Sequence, residues 1–360
     1  MTRAASRERS RGLLTVSMAP RLFGRERFGT AITTIEHIVK AVSNVHRPDG
    51  RPNVFVFSHP RSGSTWLMEL IWSQPGFKHC NEPLNVDNPY VGRYSKIDDW
   101  RFLYSRDSLP VIHEYFTGFC DGRLRFKNPN PVSRYYRPVT RRIVFKEIHG
   151  GLDRINWFAE SFNGRLVYLV RHPIAVSVSK RTVRHLRESI ASDYARHFTS
   201  EQLSYAREVA ESGTKLEQDV VLWCLHNSVP LRQATPDWSL VSYEQLVLDP
   251  DPVIEYLAAR LDLPRPDRMR MRLLTPSGVR RKSNVETQAF LRRGEARERG
   301  WLVEKWREQV DERQERHVME ILDRFELDVY RYGEILPAPR IWIQRRGADS
   351  ERMDPRTAGI

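Results

Sequence analysis

The sequence of 360 residues predicts an α/β fold in three layers, with a central, mostly parallel sheet flanked by helices. Two uninterrupted apolar segments, Val54–Phe57 and Leu166–Val170, support this prediction, because a strand buried on both faces of a parallel sheet shows no polar alternation. Each segment is followed by a turn and then by helical periodicity. We therefore expect parallel strands whose carboxyl ends lie along one edge of the sheet, where such folds bind their ligands.

The first strand leads into a turn rich in hydroxyl groups. The segment Pro60–Leu67 reads Pro-Arg-Ser-Gly-Ser-Thr-Trp-Leu, and the helical pattern begins near Thr65. Backbone N–H groups and the positive end of the helix dipole face out of such a turn, the hydroxyls add donors, and Arg61 adds a charged fork. Gly63 lets the backbone approach a ligand closely. We expect this segment, residues 60–65 and here called the anion loop, to hold an anion.

The anion loop is P-loop-like in its position, but it departs from the nucleotide triphosphate pattern Gly-x-x-x-x-Gly-Lys-Ser/Thr. Ser58 stands in place of the first glycine, Ser64 in place of the lysine, and the cation precedes the second glycine as Arg61. A P-loop nucleotide kinase is therefore an alternative, which magnesium-dependent ATP turnover would reveal. The eleven histidines show no metal-ligand spacing, so we expect chemistry that needs no metal ion.

The formal net charge of +13 favours anionic partners. Residues 1–29 predict a basic, flexible arm and residues 334–360 a basic, disordered tail, on either side of one domain at residues 30–333. A non-catalytic protein that binds nucleic acid or a membrane surface is accordingly a second alternative. Three widely spaced cysteines without a Cys-x-x-Cys pair predict reduced thiols in a cytoplasmic protein.

Further polar residues follow the next predicted strands. Residues 77–82 form a short strand that ends in Glu82, a candidate general base at the same sheet edge, although a glutamate there could equally cap a helix or form a salt bridge. Residues 87–141 mix aromatic and charged side chains, which predicts either a loosely helical cover or an acceptor-side insertion. A strand that starts at Arg142 has polar residues at its carboxyl end, up to His149.

The second uninterrupted apolar strand also ends in a cation. Arg171 follows it, Pro173 is placed to begin a helix that we expect to run to Leu186, and Ser179 lies two turns into that helix. Arg171 and Ser179 together would reach an oxyanion at the amino end of the helix. A lone arginine here would more often be a salt-bridge partner, but the neighbouring anion loop favours a second anion site.

These two motifs, in this order, resemble the sulfotransferases that use 3′-phosphoadenosine 5′-phosphosulfate (PAPS). Pro60–Leu67 resembles the family's 5′-phosphosulfate loop, and Arg171–Ser179, with its arginine and serine eight positions apart, resembles its 3′-phosphate motif. Val241–Pro250 resembles the strand-to-helix junction whose tyrosine, here Tyr243, contacts the adenine. Arginine in the loop resembles the carbohydrate and tyrosylprotein branch and its bacterial relatives more than the cytosolic phenol and steroid branch.

The resemblance implies a role for each matching residue. The phosphosulfate would be held by Arg61, Ser62, Gly63, Ser64 and Thr65. Trp66 would lie against the adenine, and Arg171 with Ser179 would select the 3′-phosphate. The family's last cofactor motif is matched only in part, and it implies a 3′-phosphate contact by Arg292 or Arg293.

The resemblance also implies two candidates for the catalytic base. In the carbohydrate-type branch the base is a glutamate shortly after the loop, which corresponds to Glu82. The cytosolic branch uses a histidine at the end of a later strand, for which His149 is the nearest counterpart. Arg61 would take part in catalysis as well, by stabilising charge on the leaving phosphate.

The implied reaction is in-line transfer of the sulfuryl group from PAPS to a hydroxyl acceptor, with adenosine 3′,5′-bisphosphate as the second product. The branch resemblance makes a carbohydrate or glycoconjugate the expected acceptor. No specific nucleic acid is expected as a partner, and the basic arms are candidates for peripheral contact with a membrane.

Overall fold

The computed structural model describes residue 35 and residues 38–97, 99–147, 149–179, 186–275 and 296–344. The strands of these residues are β1 (Val45–His46), β2 (Asn53–Ser58), β3 (Phe77–Asn81), β4 (Val139–Thr140), β5 (Arg142–Glu147), β6 (Gly164–Val170) and β7 (Ser239–Ser242). Both apolar segments of the sequence lie in strands, β2 and β6.

Five strands form the central sheet in the order β3-β5-β2-β6-β7, and each neighbouring pair is parallel. The central strand β2 pairs with β5 at Val54 and Val144, and with β6 at Val54 and Arg165. β1 and β4 form a separate parallel pair. The prediction of a central parallel sheet is therefore confirmed.

Helices cover both faces of this sheet. In chain order they are α1 (Ser64–Trp72), α2 (Pro89–Ser95), α3 (Trp100–Tyr104), α4 (Ser108–Cys120), α5 (Ile155–Ser161), α6 (Pro173–Val178), α7 (Leu186–Ala191), α8 (Ser200–Ser212), α9 (Lys215–Gln233), α10 (Tyr243–Leu248), α11 (Pro250–Leu261), α12 (Pro266–Leu273), α13 (Ala296–Glu304) and α14 (Glu312–Arg324). Short 3₁₀ helices lie at Asp193–His197, Lys305–Glu308 and Pro339–Ile341. Among the described residues, none of the helices combines the length and the apolar character needed to cross a membrane.

The alternation of valine and phenylalanine in β2 explains the three layers. Successive side chains of a strand point to opposite faces of the sheet. Val54 and Val56 belong to one buried core with apolar residues of α1 and α11, whereas Phe55 and Phe57 belong to another with residues of α4 and α5. Phe55 also stacks on Phe145 of the neighbouring strand at 4.7 Å between ring centroids. Each face of the sheet is thus sealed by its own helical layer.

Residues 87–141, for which we expected a loosely helical cover or an insertion, contain α2, α3 and α4. Val91, Leu103 and Phe116 of these helices are buried in the same core as Phe55. The segment therefore packs directly on the sheet, next to the edge strand β3.

The helix after β6 is shorter than the sequence suggested. Pro173 is its first residue, as predicted, but α6 ends at Val178 and does not continue to Leu186. Ser179 caps it, and its hydroxyl donates to the carbonyl oxygen of Val176 at 2.7 Å. The backbone N–H of Ser179 also donates to the carbonyl oxygen of Val176, at 3.1 Å, and an i−3 bond of this kind tightens and closes the last turn of a helix. Residues 180–185 lie outside the described part of the chain.

Candidate functional site

The carboxyl ends of all five central strands bring the candidate residues to one edge of the sheet. Because the strands are parallel, the chain leaves each of them on the same side. The residues that follow these ends are the anion loop after β2, Glu82 after β3, His149 after β5, Arg171 after β6 and Tyr243 after β7. The structure therefore brings together side chains that are far apart in the sequence.

The anion loop has a backbone conformation that depends on glycine. Gly63 is the N-cap of α1 and has a φ of 95°, in the left-handed region that other residues rarely adopt. A Cβ atom on Gly63 would lie 2.6 Å from Cδ2 of Tyr243, well inside van der Waals contact. Glycine is thus required both by the turn and by the close approach of the Tyr243 ring. Arg61 also has a positive φ, of 73°.

Two buried side chains of the loop region present polar atoms without a protein partner. They are Oγ of Ser62 and Nε1 of Trp66, both among the buried atoms that lack a hydrogen bond in the described residues. A buried polar atom without a hydrogen bond costs free energy. Ser64 is buried as well, and Thr65 is half-buried in the first turn of α1. The loop is therefore arranged to accept a ligand with several hydrogen-bonding oxygens.

Arg171 joins the anion loop to the end of β7. Its Nη1 donates to the carbonyl oxygen of Arg61 at 3.1 Å, and its guanidinium lies 4.0 Å from the centroid of the Tyr243 ring. Nε of Arg171 is buried without a hydrogen bond. Trp66 packs edge-on against the same tyrosine at 6.1 Å between centroids. One cluster is thus formed by four residues that the sequence singled out separately, Arg61, Trp66, Arg171 and Tyr243. It combines two arginines and two aromatic rings at the N-terminus of α1.

A buried glutamate that the sequence reasoning did not single out supports this cluster. Glu244 accepts a hydrogen bond from the backbone N–H of His172 at 2.9 Å and another from the hydroxyl of Tyr330 at 2.9 Å. Burial raises the pKa of this carboxyl, against the opposing effect of its hydrogen bonds. Glu244 therefore fixes the backbone directly after Arg171. Its position beside Tyr243 was a signal in the sequence, but its partner Tyr330 is too distant along the chain to be recognised.

Glu82, Lys146 and His149 form a second cluster, at the ends of β3 and β5. A φ of 51° at Glu82 turns the chain directly after β3. The carboxylate of Glu82 forms an ion pair with Nζ of Lys146, and its Oε2 lies 3.3 Å from Nε2 of His149. Burial opposes the ionisation of Glu82, but the hydrogen bond with His149 and the charge of Lys146 outweigh it and lower the pKa of Glu82 well below its usual value. The two candidate bases are therefore neighbours in one network.

Glu147 holds the backbone on which both candidate bases are carried. Its side chain is 2% exposed, and its two oxygens accept hydrogen bonds from the N–H of Leu84 at 2.9 Å and the N–H of His149 at 2.6 Å. One carboxylate thus connects the segment after β3 to the segment after β5. The sequence reasoning treated Glu147 only as a neighbour of His149.

We expect Glu147→Ala to lower stability by about 2–3 kcal/mol, because two buried N–H groups lose their acceptor. It should also lower kcat by more than about tenfold, since misplaced catalytic groups lose much of their effect. Glu147→Gln, which keeps one acceptor oxygen, should lie between wild type and Glu147→Ala. Thermal unfolding and steady-state kinetics measure both effects. Wild-type kcat in Glu147→Ala would contradict a positioning role.

The remaining candidates differ in what the structure says of them. Ser179 is half-buried at the end of α6. Its hydroxyl donates a hydrogen bond to the carbonyl oxygen of Val176 in the same helix. Arg292 and Arg293 lie outside the described residues. Among the described residues, no group of three or more histidine, cysteine, aspartate or glutamate side chains is placed to hold a metal ion.

Solved structures similar to this chain are sulfotransferases of low sequence identity. They include the sulfotransferase domain from the curacin biosynthetic pathway (18% identity, TM-score 0.39, covering 79% of this chain and 99% of that chain). The sulfotransferase domain of the Synechococcus PCC 7002 olefin synthase is similar as well (19% identity, TM-score 0.40, 79% and 98% covered). A third is mouse sulfotransferase SULT7A1 in complex with PAP (14% identity, TM-score 0.40, 82% and 91% covered).

A search of curated proteins finds no match to this chain. The family described as "Sulfotransferase domain" matches residues 51–327, which include the anion loop, both clusters and all five strands of the central sheet. The chain therefore belongs to the sulfotransferase family, the enzymes that transfer a sulfuryl group from PAPS.

Proposed function

We propose that the protein transfers the sulfuryl group of PAPS to a hydroxyl of a carbohydrate or glycoconjugate by metal-free, in-line displacement. The observation that carries this proposal is the cluster at the ends of β2, β6 and β7, where Arg171 connects the carbonyl of Arg61 to the ring of Tyr243. A nucleotide with two phosphate groups offers partners for cations, for helix N–H groups and for an aromatic face at once.

The residues present fit such a cofactor. The orphaned Oγ of Ser62 and the N-terminus of α1 suit phosphosulfate oxygens, and Gly63, with its left-handed φ, shapes the loop that would hold them. The orphaned Nε of Arg171 suits a 3′-phosphate, a role in which Ser179 would assist from the end of α6. Trp66 and Tyr243 offer rings for the adenine. We assign Arg61, Ser64 and Thr65 to the phosphosulfate, and Arg292 and Arg293 stay as proposed contacts to the 3′-phosphate.

In the proposed reaction Glu82 accepts the proton of the acceptor hydroxyl while the bond from that oxygen to sulfur forms and the bond from sulfur to the phosphate oxygen breaks. When bound, PAPS supplies the sulfuryl group and leaves as adenosine 3′,5′-bisphosphate. Arg61 and the N-terminus of α1 stabilise the charge on that leaving group. We prefer Glu82 to His149 as the base because it corresponds to the glutamate of the carbohydrate-type branch that the sequence resembles, with His149 as the rival.

The acceptor class follows from the branch that the sequence resembles. Arginine in the anion loop and a glutamate at the end of β3 are the features that resemble the carbohydrate-type branch. The network of Glu82, Lys146 and His149 holds an ionised carboxylate at the sheet edge, and such a group can take the proton of a hydroxyl. This supports a hydroxyl group as the site that receives the sulfuryl group.

We expect adenosine 3′,5′-bisphosphate to raise the melting temperature of the purified protein, because a ligand that binds only the native state stabilises it by mass action. Adenosine 5′-monophosphate and Mg-ATP should have little effect. In Arg171→Ala the affinity should fall by more than about tenfold, since a charge-assisted contact to phosphate is lost. Thermal scans over a range of ligand concentrations measure each affinity.

Arg316→Ala is the matched control for this experiment. Arg316 also lies over a tyrosine ring, Tyr332, at 3.9 Å, but it belongs to α14 and not to the sheet edge. Its replacement should leave the affinity for the bisphosphate as in wild type. Stabilisation by Mg-ATP instead of the bisphosphate would favour a nucleotide kinase, and stabilisation by neither would remove the cofactor assignment.

A further inference from the structure

A cavity of about 520 Å³ lies beside Glu82, between α1, the edge strand β3 and the segment 126–133. Among its lining residues are Trp72 of α1, His79 and Asn81 of β3, and Phe126 and Lys127 of the segment that covers it. The volume falls within the range of small-molecule binding sites. None of the described residues to which we assigned a role in the proposed reaction lines it.

Three buried polar atoms of this lining lack a hydrogen-bond partner in the described residues. They are Nε1 of Trp72, Nδ1 of His79 and Oδ1 of Asn81. Trp72 is 6% exposed, so its indole N–H is a buried donor. The rings of Trp72 and His79 pack edge to face at 4.3 Å between centroids, so the side chains that carry two of the three atoms are in contact. Burial lowers the pKa of His79 to about 4, so its ring is neutral and Nδ1 accepts or donates according to its tautomer.

The chemistry of these atoms restricts the ligand that would satisfy them. Trp72 can only donate, whereas Oδ1 of Asn81 can only accept. A hydroxyl group both donates and accepts, and it would satisfy the amide of Asn81 in either orientation. The charged residues of the described lining are Lys40 and Lys127, so the cavity favours a neutral or anionic ligand over a cation.

The apolar part of the lining suits a sugar ring. Tyr90 is a half-buried lining residue, and it packs on the buried ring of Phe126 with 6.2 Å between centroids and 29° between the ring planes. Flat aromatic surfaces beside a few fixed polar groups are typical of sites that orient a small, polar ligand. A sugar offers hydroxyls for the three orphaned atoms and a C–H face for the ring of Tyr90.

The cavity is joined to the catalytic cluster through the backbone. Asn81, which lines it, directly precedes Glu82. Lys127, which also lines it, donates from Nζ to the carbonyl oxygens of Asn81 and Glu82, each at 3.0 Å. A ligand in the cavity would therefore lie against the segment that holds the proposed base.

We propose that this cavity binds a sugar residue of the acceptor, adjacent to the residue whose hydroxyl receives the sulfuryl group. This inference rests on the proposed function, because it needs an acceptor that reaches Glu82. It assigns Trp72, His79 and Asn81 to the recognition of hydroxyl groups and Tyr90 to contact with the sugar face.

Saturation-transfer NMR with the full chain tests this proposal, with the methyl β-glycosides of glucose, galactose and N-acetylglucosamine as probes. At least one glycoside should bind the wild-type protein. Trp72→Phe, which keeps a ring and removes the N–H, and Asn81→Ala should each weaken binding by about fivefold to tenfold, the effect of one lost hydrogen bond. Trp157→Phe, in α5 and away from the cavity, is the matched control and should bind as wild type does.

Two outcomes would overturn the proposal: no glycoside binds the wild-type protein, or Trp72→Phe and Asn81→Ala bind as wild type does. The second outcome would mean that the glycoside binds elsewhere on the protein. Thermal unfolding of each variant confirms that it is folded. The titrations are made with and without adenosine 3′,5′-bisphosphate, so a failed cofactor assignment leaves the test of the cavity intact, and bisphosphate binding without sugar binding refutes only the cavity.

Discussion

Replacement of Glu82 by glutamine should lower kcat by about 10²–10⁴-fold, the usual contribution of a positioned general base. Glutamine keeps the size of the side chain and its ability to bond to Lys146 and His149, but it cannot take the proton of an acceptor hydroxyl. The affinity for adenosine 3′,5′-bisphosphate should stay as in wild type, because Glu82 lies in the second cluster and not beside Arg171. Steady-state kinetics and thermal scans with the bisphosphate separate the two effects.

The pH dependence of the rate tests the same assignment. A carboxyl whose pKa is lowered in the folded protein stays ionised, and able to accept a proton, at every pH above that lowered value. The rate should therefore hold on acidification to below pH 4.5, the ordinary value for glutamate, as long as the protein stays folded. The low pKa makes Glu82 a weak base, which suffices if the acceptor gives up its proton late, as expected for a loose transition state.

Glu326→Gln is a matched control, since Glu326 is another glutamate with a positive φ, of 56°, in an exposed turn after α14. It should have wild-type kcat. If His149 were the base, His149→Asn would instead cause the larger loss.

Replacement of Gly63 by alanine should weaken binding of adenosine 3′,5′-bisphosphate by more than about hundredfold and lower stability by about 1–3 kcal/mol, from backbone strain and collision together. The φ of 95° is unfavourable for alanine. The added Cβ would lie 2.6 Å from Cδ2 and 2.9 Å from Cε2 of Tyr243, so the ring would have to move away from Arg171. Calorimetric titration with the bisphosphate and thermal unfolding measure the two losses.

Gly50→Ala separates the two causes. Gly50 has a similar φ of 82°, but a Cβ atom there would meet no other atom within 4 Å. Its replacement should therefore destabilise the protein through backbone strain alone, by about 1–2 kcal/mol, without changing the affinity for the bisphosphate. Equal affinity in Gly63→Ala and Gly50→Ala would show that contact between the loop and Tyr243 has no role in binding.

The sequence predicted the sheet because local patterns decide buried parallel strands. Val54–Phe57 and Leu166–Val170 have a continuous apolar character that few other elements share, and both lie in the central sheet. The helix after Pro173 was predicted to be too long, because apolar periodicity alone does not reveal where a tightened last turn closes a helix.

The sequence predicted the individual residues of the candidate site but not their contacts with one another. Arg61, Arg171 and Tyr243 each follow a strand, so their common location follows from parallel topology. Their mutual contacts do not, since the distance of Arg171 from the Tyr243 ring depends on how β6 and β7 pack together. The positioning role of Glu147 was not predicted for the same reason, because its two hydrogen bonds reach residues 84 and 149 on different segments.

The order β3-β5-β2-β6-β7 separates the two proposed halves of the reaction. The proposed donor residues follow β2, β6 and β7, whereas Glu82 and His149 follow β3 and β5 on the other side of β2. β3 is an edge strand, so a change after it leaves the pairing of β2 with β6 intact. The acceptor side can therefore be redesigned without disturbing the strands that position the proposed nucleotide contacts.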